Sequence, residues 1–183
     1  MFKNLLEKIA LKLEQSDIPY MVIGGQAVLV YGEPRLTRDI DITVGVLPER
    51  ADAVSDIARS AGLRPLVDPE AFTSKTLVLP CDDPETGIRV DFIFSFTPYE
   101  MQAMKRAIFV EIGQAKVRFA SLEDLIIHKL VSGRPRDAED VRSVILKNKA
   151  MDVKYIRKWL KEFAALLKLP LLAKFNALLK ERK

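Results

Sequence analysis

The segment of residues 38–46 constrains the fold and the chemistry of this chain more than any other. Its residues alternate strictly, with Ile40 and Ile42 on one side and Asp39 and Asp41 on the other. A period of two is typical of a half-buried β-strand, in which successive side chains point to opposite faces of a sheet. The two carboxylates therefore lie on one face, close enough to share one divalent ion or to bridge two.

The simpler interpretation of Asp39 and Asp41 is a polar strand face that water solvates. Two like charges side by side repel each other, however, and on an otherwise apolar strand they are best explained by a cation between them. The pattern therefore favours a metal site over a merely solvated face.

Two glycines follow a short apolar strand predicted at residues 20–23. Gly24 and Gly25 separate this strand from a helix predicted over about residues 26–31. Glycine lets the backbone approach a ligand closely, and the free N–H groups at the start of a helix bind phosphate. For an isolated Gly-Gly pair, the alternative is a turn that needs glycine only for its dihedral angles.

Strands and amphipathic helices along the rest of the chain predict an α+β fold, a mixed β-sheet flanked by helices with a helical C-terminal segment. A first domain is predicted over residues 1–145, and a basic helical segment packed on it over residues 146–183. Ser121 and Asp124 resemble a capping box at the start of a helix. The sequence predicts helices over residues 2–15, 48–61, 98–107 and 122–131, strands over residues 76–79, 88–96, 109–112 and 116–119, and three helices from residue 137 onward.

Charge and cysteine content narrow the class of protein further. Residues 146–183 hold 11 Lys and Arg against 3 Asp and Glu, whereas residues 1–145 hold 18 against 22. The basic end suggests an acidic partner, although lysines on helices are more often only solubilising.

The single Cys81 excludes a disulfide framework, and no run of about 20 apolar residues indicates a transmembrane helix. We expect a cytoplasmic protein without membrane contacts.

Several other charged residues stand in apolar surroundings. Asp91 is the only acidic residue in the β-rich run of residues 88–94, where a salt bridge to a neighbouring Arg is the alternative to a functional role. Lys129 emerges beside the apolar face of its helix, where a merely solvated lysine is less expected. Asp137 and Asp140 share a helix face, and we assign helix capping to Asp137 and a functional role to Asp140.

The ordered series of these motifs resembles the signature of nucleotidyltransferases of the DNA polymerase β superfamily. The series is Gly24-Gly25, then Asp39-x-Asp41, then Asp91. In that signature a Gly-Gly or Gly-Ser pair follows a hydrophobic residue, two carboxylates come later with one residue between them, and a third lies in a further strand. The ordered series is much more specific than any one motif. The resemblance implies a nucleotidyltransferase-like mixed β-sheet flanked by helices.

A second set of motifs narrows the resemblance to minimal bacterial enzymes of the AbiEii-like toxin type. Residues 35–41 read R-x-T-x-D-I-D, Lys129 follows, and residues 134–140 read R-x-x-D-x-x-D. The resemblance covers about residues 20–141. It also implies a cognate antitoxin as a partner, while the oligomeric state is not indicated.

The resemblance implies transfer of a nucleoside monophosphate from a nucleoside triphosphate, ATP included, to a hydroxyl group, with release of pyrophosphate. Two Mg²⁺ ions, with Mn²⁺ as an alternative, would clamp the attacking and leaving oxygens. Asp39, Asp41 and Asp91 would bind these metals, and Asp91 would also accept the proton of the acceptor hydroxyl. The residues to which the resemblance assigns nucleotide binding are Gly24, Gly25, Thr37, Arg38, Lys129 and Asp140.

Two other function classes and several acceptors stay open. A DxD glycosyltransferase also uses Asp-x-Asp to bind a metal and a nucleotide diphosphate, but this hypothesis explains neither Gly24-Gly25 nor Asp91. A non-catalytic nucleotide-binding or antitoxin-like partner protein is the third hypothesis, and the three intact carboxylates argue against it. The acceptor hydroxyl belongs to an RNA such as a tRNA end, to a protein, or to a small molecule such as an antibiotic, with a slight preference for RNA.

Overall fold

The computed structural model describes residues 2–182, which form two compact units. The first unit contains residues 2–26 and 37–120, and the second contains residues 27–36 and 121–182. The first unit holds a mixed β-sheet with helices, and the second is helical. This architecture confirms the predicted α+β class with a helical C-terminal segment. The domain boundary placed after position 145 stays a prediction.

The described part of the first unit contains seven strands: β1 (Tyr20–Ile23), β2 (Asp39–Val44), β3 (Arg64–Pro65), β4 (Val78–Asp82), β5 (Arg89–Phe94), β6 (Ile108–Ile112) and β7 (Ala115–Phe119). They lie in the order β3-β4-β5-β2-β1-β7-β6. The pairs β2–β5 and β1–β7 are parallel, and the other four are antiparallel. β2 is therefore an interior strand with hydrogen-bonded neighbours on both sides.

Helices accompany the sheet and bury their apolar faces. In the first helix Leu6, Ile9 and Leu13 are buried, as the predicted amphipathic pattern requires, and this helix packs on β7. The second helix continues from the first unit into the second at residue 27. The helices are α1 (Phe2–Gln15), α2 (Gly24–Tyr31), α3 (Ala51–Ser60), which follows a 3₁₀ turn at Pro48–Arg50, α4 (Pro69–Thr76) and α5 (Pro98–Arg106).

The strand predicted at residues 76–79 is displaced, because a helix that the sequence analysis missed precedes it. β4 begins only at Val78. Asp68 is the N-cap of α4, its carboxylate accepting a hydrogen bond from the Ala71 amide at 2.7 Å, and Pro69 follows in the first turn. Both are standard helix start signals, which the prediction did not use. The two-residue strand β3 was also not predicted. The helix predicted from residue 48 begins with the 3₁₀ turn Pro48–Arg50 and is α-helical only from Ala51, and the other predicted elements lie within two residues of their expected bounds.

The described part of the second unit is built mainly from four helices: α6 (Leu122–Ser132), α7 (Asp137–Lys147), α8 (Val153–Leu167) and α9 (Leu171–Lys180). Ser121 caps α6, and its hydroxyl accepts a hydrogen bond from the Asp124 amide at 3.1 Å, which confirms the predicted cap. α8 packs on α6 and α9 with Ile156 and Leu160 fully buried. None of the helices within residues 2–182 is both long and apolar enough to cross a membrane.

Candidate active site

Asp41 and Asp91 lie side by side on neighbouring strands in the interior of the sheet. β2 and β5 run parallel, in a register that places Asp41 directly opposite Asp91. Their neighbours Ile40 and Val90 are fully buried, whereas both acidic residues are half-buried. Paired residues of adjacent strands point to the same face, so the two carboxylates share one face of the sheet. Exposed Asp39 precedes Asp41 by two residues and lies on that same face, as the alternation predicts.

Gly24 lies against the Asp41 side chain at the end of the other neighbouring strand. β1 pairs with β2 so that Ile23 opposes Asp41, and Gly24 is the next residue. Its φ of +63° lies in the left-handed region that favours glycine. A Cβ atom at this position would overlap Oδ2 of Asp41. Position 24 therefore requires glycine for its dihedral angles and also for the close approach of the carboxylate.

The first turn of α2 brings backbone N–H donors next to the Asp41 side chain. α2 begins at Gly24, two residues earlier than the sequence predicts. The first N–H groups of a helix have no partner within it, and those of Gly24 and Gly25 at the start of α2 therefore suit an anion. An anion bound there would lie next to the Asp41 carboxylate, and a cation between them would remove the repulsion.

Two buried side chains fix the backbone and the carboxylate of Asp39. The Thr37 hydroxyl lies 3.2 Å from Asp39 Oδ1 and 3.3 Å from the Asp39 carbonyl oxygen. The Gln26 amide nitrogen donates to the same carbonyl at 3.4 Å. Sequence reasoning missed Gln26, whose signal is its position immediately after the two glycines. Arg38, between Thr37 and Asp39, is exposed.

The donor set suits a hard divalent cation such as Mg²⁺. Carboxylate oxygens are the ligands that this ion prefers, and the directly paired Asp41 and Asp91 repel each other without a cation. Within residues 2–182, no group of three or more His, Cys, Asp or Glu side chains is arranged to hold a metal ion. The fit therefore rests on the Asp41–Asp91 pair, and Asp39 would have to turn towards it to become a third ligand.

Cys81 on β4 is near this pair but adds no thiolate to it. Burial, followed by the charges of Asp91 and Asp82, raises the pKa of the Cys81 thiol to about 12. The side chain is therefore a neutral thiol at physiological pH, which is neither a nucleophile nor a good metal ligand.

Lys129 and Asp140, both predicted site residues, belong to a buried charge cluster within the second unit. Lys129 Nζ lies 2.7 Å from Asp137 Oδ1 and 2.9 Å from Asp140 Oδ2. The Arg35 guanidinium contacts both oxygens of Asp140, at 2.7 and 2.9 Å. Asp137 and Asp140 are each only 4% exposed. We call these four residues the charge cluster, in which two cations and two carboxylates balance each other.

The helix-capping role assigned to Asp137 is wrong. Arg136 occupies the N-cap of α7 and makes no capping hydrogen bond through its side chain. Asp137 instead accepts hydrogen bonds from the Arg134 amide at 2.9 Å and from Lys129. The predicted shared face of Asp137 and Asp140 is confirmed, because both carboxylates contact Lys129.

Sequence reasoning also missed the partnership of Arg35 with Asp140. Arg35 is the first residue of the R-x-T-x-D-I-D motif, and Asp140 is the last acidic residue of R-x-x-D-x-x-D. The two motifs come together within the second unit through this bidentate ion pair. Their joint presence in the sequence was the available signal.

Comparisons with known proteins identify the same class of enzyme. A family model described as nucleotidyl transferase AbiEii toxin, Type IV TA system, matches residues 6–165, which is most of the chain. Among curated proteins no match is found. The family match supports the nucleotidyltransferase hypothesis and gives no support to the DxD glycosyltransferase.

Solved nucleotidyltransferase structures share the fold. The antibiotic-resistance factor ANT(2'')-Ia in solution has a TM-score of 0.63 at 18% identity, over 91% of this chain and 94% of its own. Its complex with adenylyl-2''-tobramycin has a TM-score of 0.58 at 16% identity, over 90% and 98%. An antigenic nucleotidyltransferase-like protein from Paracoccidioides brasiliensis has a TM-score of 0.59 at 19% identity, over 97% and 91%. These likenesses confirm the predicted nucleotidyltransferase-like fold.

Proposed function

Because the chain belongs to the AbiEii family of nucleotidyl transferase toxins, we propose that it transfers a nucleoside monophosphate from a nucleoside triphosphate to a hydroxyl group. The observation that carries this proposal is the position of Asp41, which has Gly24 against its carboxylate and Asp91 directly opposite. Backbone amides that suit phosphate thereby adjoin carboxylates that suit a divalent cation.

The proposed reaction is a substitution at the α-phosphorus. The acceptor oxygen forms a bond to this phosphorus, the bond to the bridging oxygen breaks, and pyrophosphate leaves. Asp91 accepts the proton of the acceptor hydroxyl. Asp39, Asp41 and Asp91 would hold Mg²⁺, or Mn²⁺ in its place, which supplies positive charge for the triphosphate and lowers the pKa of the acceptor hydroxyl.

Different residues around the Asp41–Asp91 pair bind different parts of the nucleotide. The amides of Gly24 and Gly25 bind the β- and γ-phosphates at the start of α2. Thr37 holds the Asp39 carboxylate through the hydrogen bond described above. Exposed Arg38 supplies positive charge next to Asp39 in the chain.

Lys129 and Asp140 contribute to the proposal through the charge cluster. An ammonium group carries three N–H donors, and Lys129 directs two of them at Asp137 and Asp140. The third donor is the one that Lys129 offers to a phosphate. Asp140 acts by holding Lys129 and Arg35 in place.

For the acceptor we propose an RNA, such as a tRNA end. The excess of Lys and Arg over residues 146–183 suits a polyanion, because basic side chains bind phosphates and release counterions. The adenylyl-2''-tobramycin bound to ANT(2'')-Ia makes a small-molecule hydroxyl the second candidate. As a member of a toxin family, the chain is also proposed to have a cognate antitoxin.

The test is incubation of the purified chain with each α-labelled nucleoside triphosphate, Mg²⁺ and total cell extract, followed by separation of RNA, protein and small molecules. We expect label in the RNA fraction. Asp41→Asn and Asp91→Asn should each reduce transfer by at least about 100-fold while the circular-dichroism spectrum stays that of the parent chain. Asp82→Asn, an acidic residue on neighbouring β4 outside the site, is the matched control and should retain transfer.

The outcomes separate the parts of the proposal. Transfer at the parent rate by Asp41→Asn or Asp91→Asn would refute the assignment of the carboxylates. A lost circular-dichroism spectrum would show that these side chains support the fold instead. Label only in the small-molecule fraction would contradict the RNA acceptor and leave the transfer reaction standing.

A further inference from the structure

The edge strand β6 leaves one side of the sheet open in the described chain. β6 is the last strand in the sheet order and pairs only with β7 within residues 2–182. Phe109 is 58% exposed, and Glu111 is exposed as well. An exposed edge strand presents unpaired N–H and C=O groups, which can accept another strand.

The direction of the β6 backbone groups follows from its pairing with β7. Phe109 opposes Arg118, whose amide donates to the Tyr20 hydroxyl at 3.3 Å instead of to β6. Antiparallel pairs alternate between hydrogen-bonded and non-hydrogen-bonded, so Phe109–Arg118 is a non-hydrogen-bonded pair. The N–H and C=O groups of Phe109, and by alternation those of Glu111, therefore point to the open edge.

We propose that two copies of this chain associate through β6, pairing antiparallel about a twofold axis at Val110. Phe109 of one copy then lies opposite Glu111 of the other, and each such pair exchanges two backbone hydrogen bonds. Four hydrogen bonds join the two sheets into one continuous sheet.

The register follows from which backbone groups are available and from charge. An axis at Glu111 would place two carboxylates directly opposite, which is destabilising. An axis at Phe109 would place Glu111 opposite Ala107, which lies beyond the end of β6. Only an axis at Val110 pairs all the outward groups and avoids the repulsion.

The side chains on this edge are complementary to a second copy. The Arg118 guanidinium lies 5.2 Å from the centroid of the Phe109 ring, and Glu14 holds it there at 3.0 Å. In the proposed register Glu111 of the second copy faces Phe109 and this cation. The interface is small, so we expect a dimer whose population depends on protein concentration.

The test is sedimentation equilibrium of the full chain from low micromolar to submillimolar concentration. The parent chain should dimerise, and Phe109→Glu should raise the dissociation constant at least about tenfold, because it places a carboxylate directly opposite Glu111 of the second copy. Glu111→Pro should do the same, since its N–H faces away from β7 and the hairpin keeps its ladder. The matched control is Phe72→Glu, at another exposed phenylalanine of the first unit, which should leave the dissociation constant unchanged.

Hydrogen exchange distinguishes this dimer from any other. The amides of Phe109 and Glu111 should exchange rapidly in dilute solution and become protected as the dimer forms. A chain that stays monomeric throughout the range, or a dimer in which these two amides remain unprotected, would overturn the proposal. Equal weakening by Phe109→Glu and Phe72→Glu would also overturn it.

Discussion

The two compact units each hold a group of charged side chains, and the groups differ in the sign of the charges that lie next to each other. In the second unit, the charge cluster joins Arg35 and Lys129 to Asp137 and Asp140, with every charge facing an opposite one at 2.7 to 2.9 Å. In the first unit, Asp41 faces Asp91 across two parallel strands, so like charges are paired.

This difference separates a cluster of opposite charges from a pair of like charges that a cation would bridge. A buried, balanced cluster is costly to break, because removing one member leaves an uncompensated charge out of water. A pair of like charges is costly to keep and gains when a cation binds. Burial or charge alone would not have distinguished the two groups.

The largest expected effect comes from breaking the balanced group. Asp140→Ala removes the shared partner of Arg35 and Lys129, and we expect the free energy of unfolding to fall by about 3–5 kcal/mol. Urea unfolding of the purified variant measures it. Asp56→Ala, which ends an exposed ion pair with Arg59, should cost under about 1 kcal/mol.

The proposed contrast between the charge cluster and the Asp41–Asp91 pair would be wrong if Asp140→Ala were as stable as the parent chain. It would fail equally if Asp41→Asn, in metal-free solution, cost as much as Asp140→Ala. Removing one of two neighbouring like charges relieves their repulsion, so Asp41→Asn should lower the free energy of unfolding less than Asp140→Ala does.

The next effect tests whether the like-charged pair takes up a cation. Mg²⁺ with a nucleoside triphosphate should stabilise the parent chain by about 2.7 kcal/mol when the ligand is at 100 times its dissociation constant. Differential scanning calorimetry should show this as a rise in the melting temperature. Asp41→Asn should lose most of the rise, whereas Asp82→Asn should keep it. A rise of the same size in Asp41→Asn would show that the ligand binds elsewhere.

The smallest expected effect comes from a variant that tests the contact between Gly24 and Asp41. Alanine at a left-handed position costs about 1–2 kcal/mol, and at position 24 the new Cβ must also displace the Asp41 carboxylate. We expect Gly24→Ala to lower the free energy of unfolding by about 1–2 kcal/mol more than Gly133→Ala does. Gly133 is the matched control because its φ is +62° and only ordinary contacts lie near its Cβ position. Equal losses in the two variants, measured by urea unfolding, would mean that Asp41 simply moves aside.

Local patterns account for the parts of the molecule that the sequence predicted well. The alternation around Asp39 and Asp41 places both carboxylates on one face of a strand, because strand geometry alone determines that face. The Ser121 cap and the hairpin of β6 and β7 follow in the same way from residues close together in the chain. α4 shows the limit of such reasoning, since its signals at Asp68 and Pro69 were present and were not used.

Long-range pairing accounts for what the sequence could not predict. The opposition of Asp91 to Asp41, not to Asp39, depends on the register of β2 against β5, which no local pattern encodes. The ion pair of Arg35 with Asp140 joins positions 105 residues apart. Asp137 was misassigned for the same reason, because its partner Lys129 lies on another helix.

The parallel pairing of β2 with β5 has a consequence for the order of events during synthesis. Asp91 follows Asp41 by 50 residues, and parallel strands need a long crossover between them. The antiparallel pairing of β1 with β2 closes a much shorter loop, so it can form earlier during synthesis than the pairing of β2 with β5. A nascent chain that ends before β5 has Gly24 and Asp41 in place but lacks Asp91. On the proposed function, a ribosome must therefore add β5 before the chain can transfer a nucleoside monophosphate.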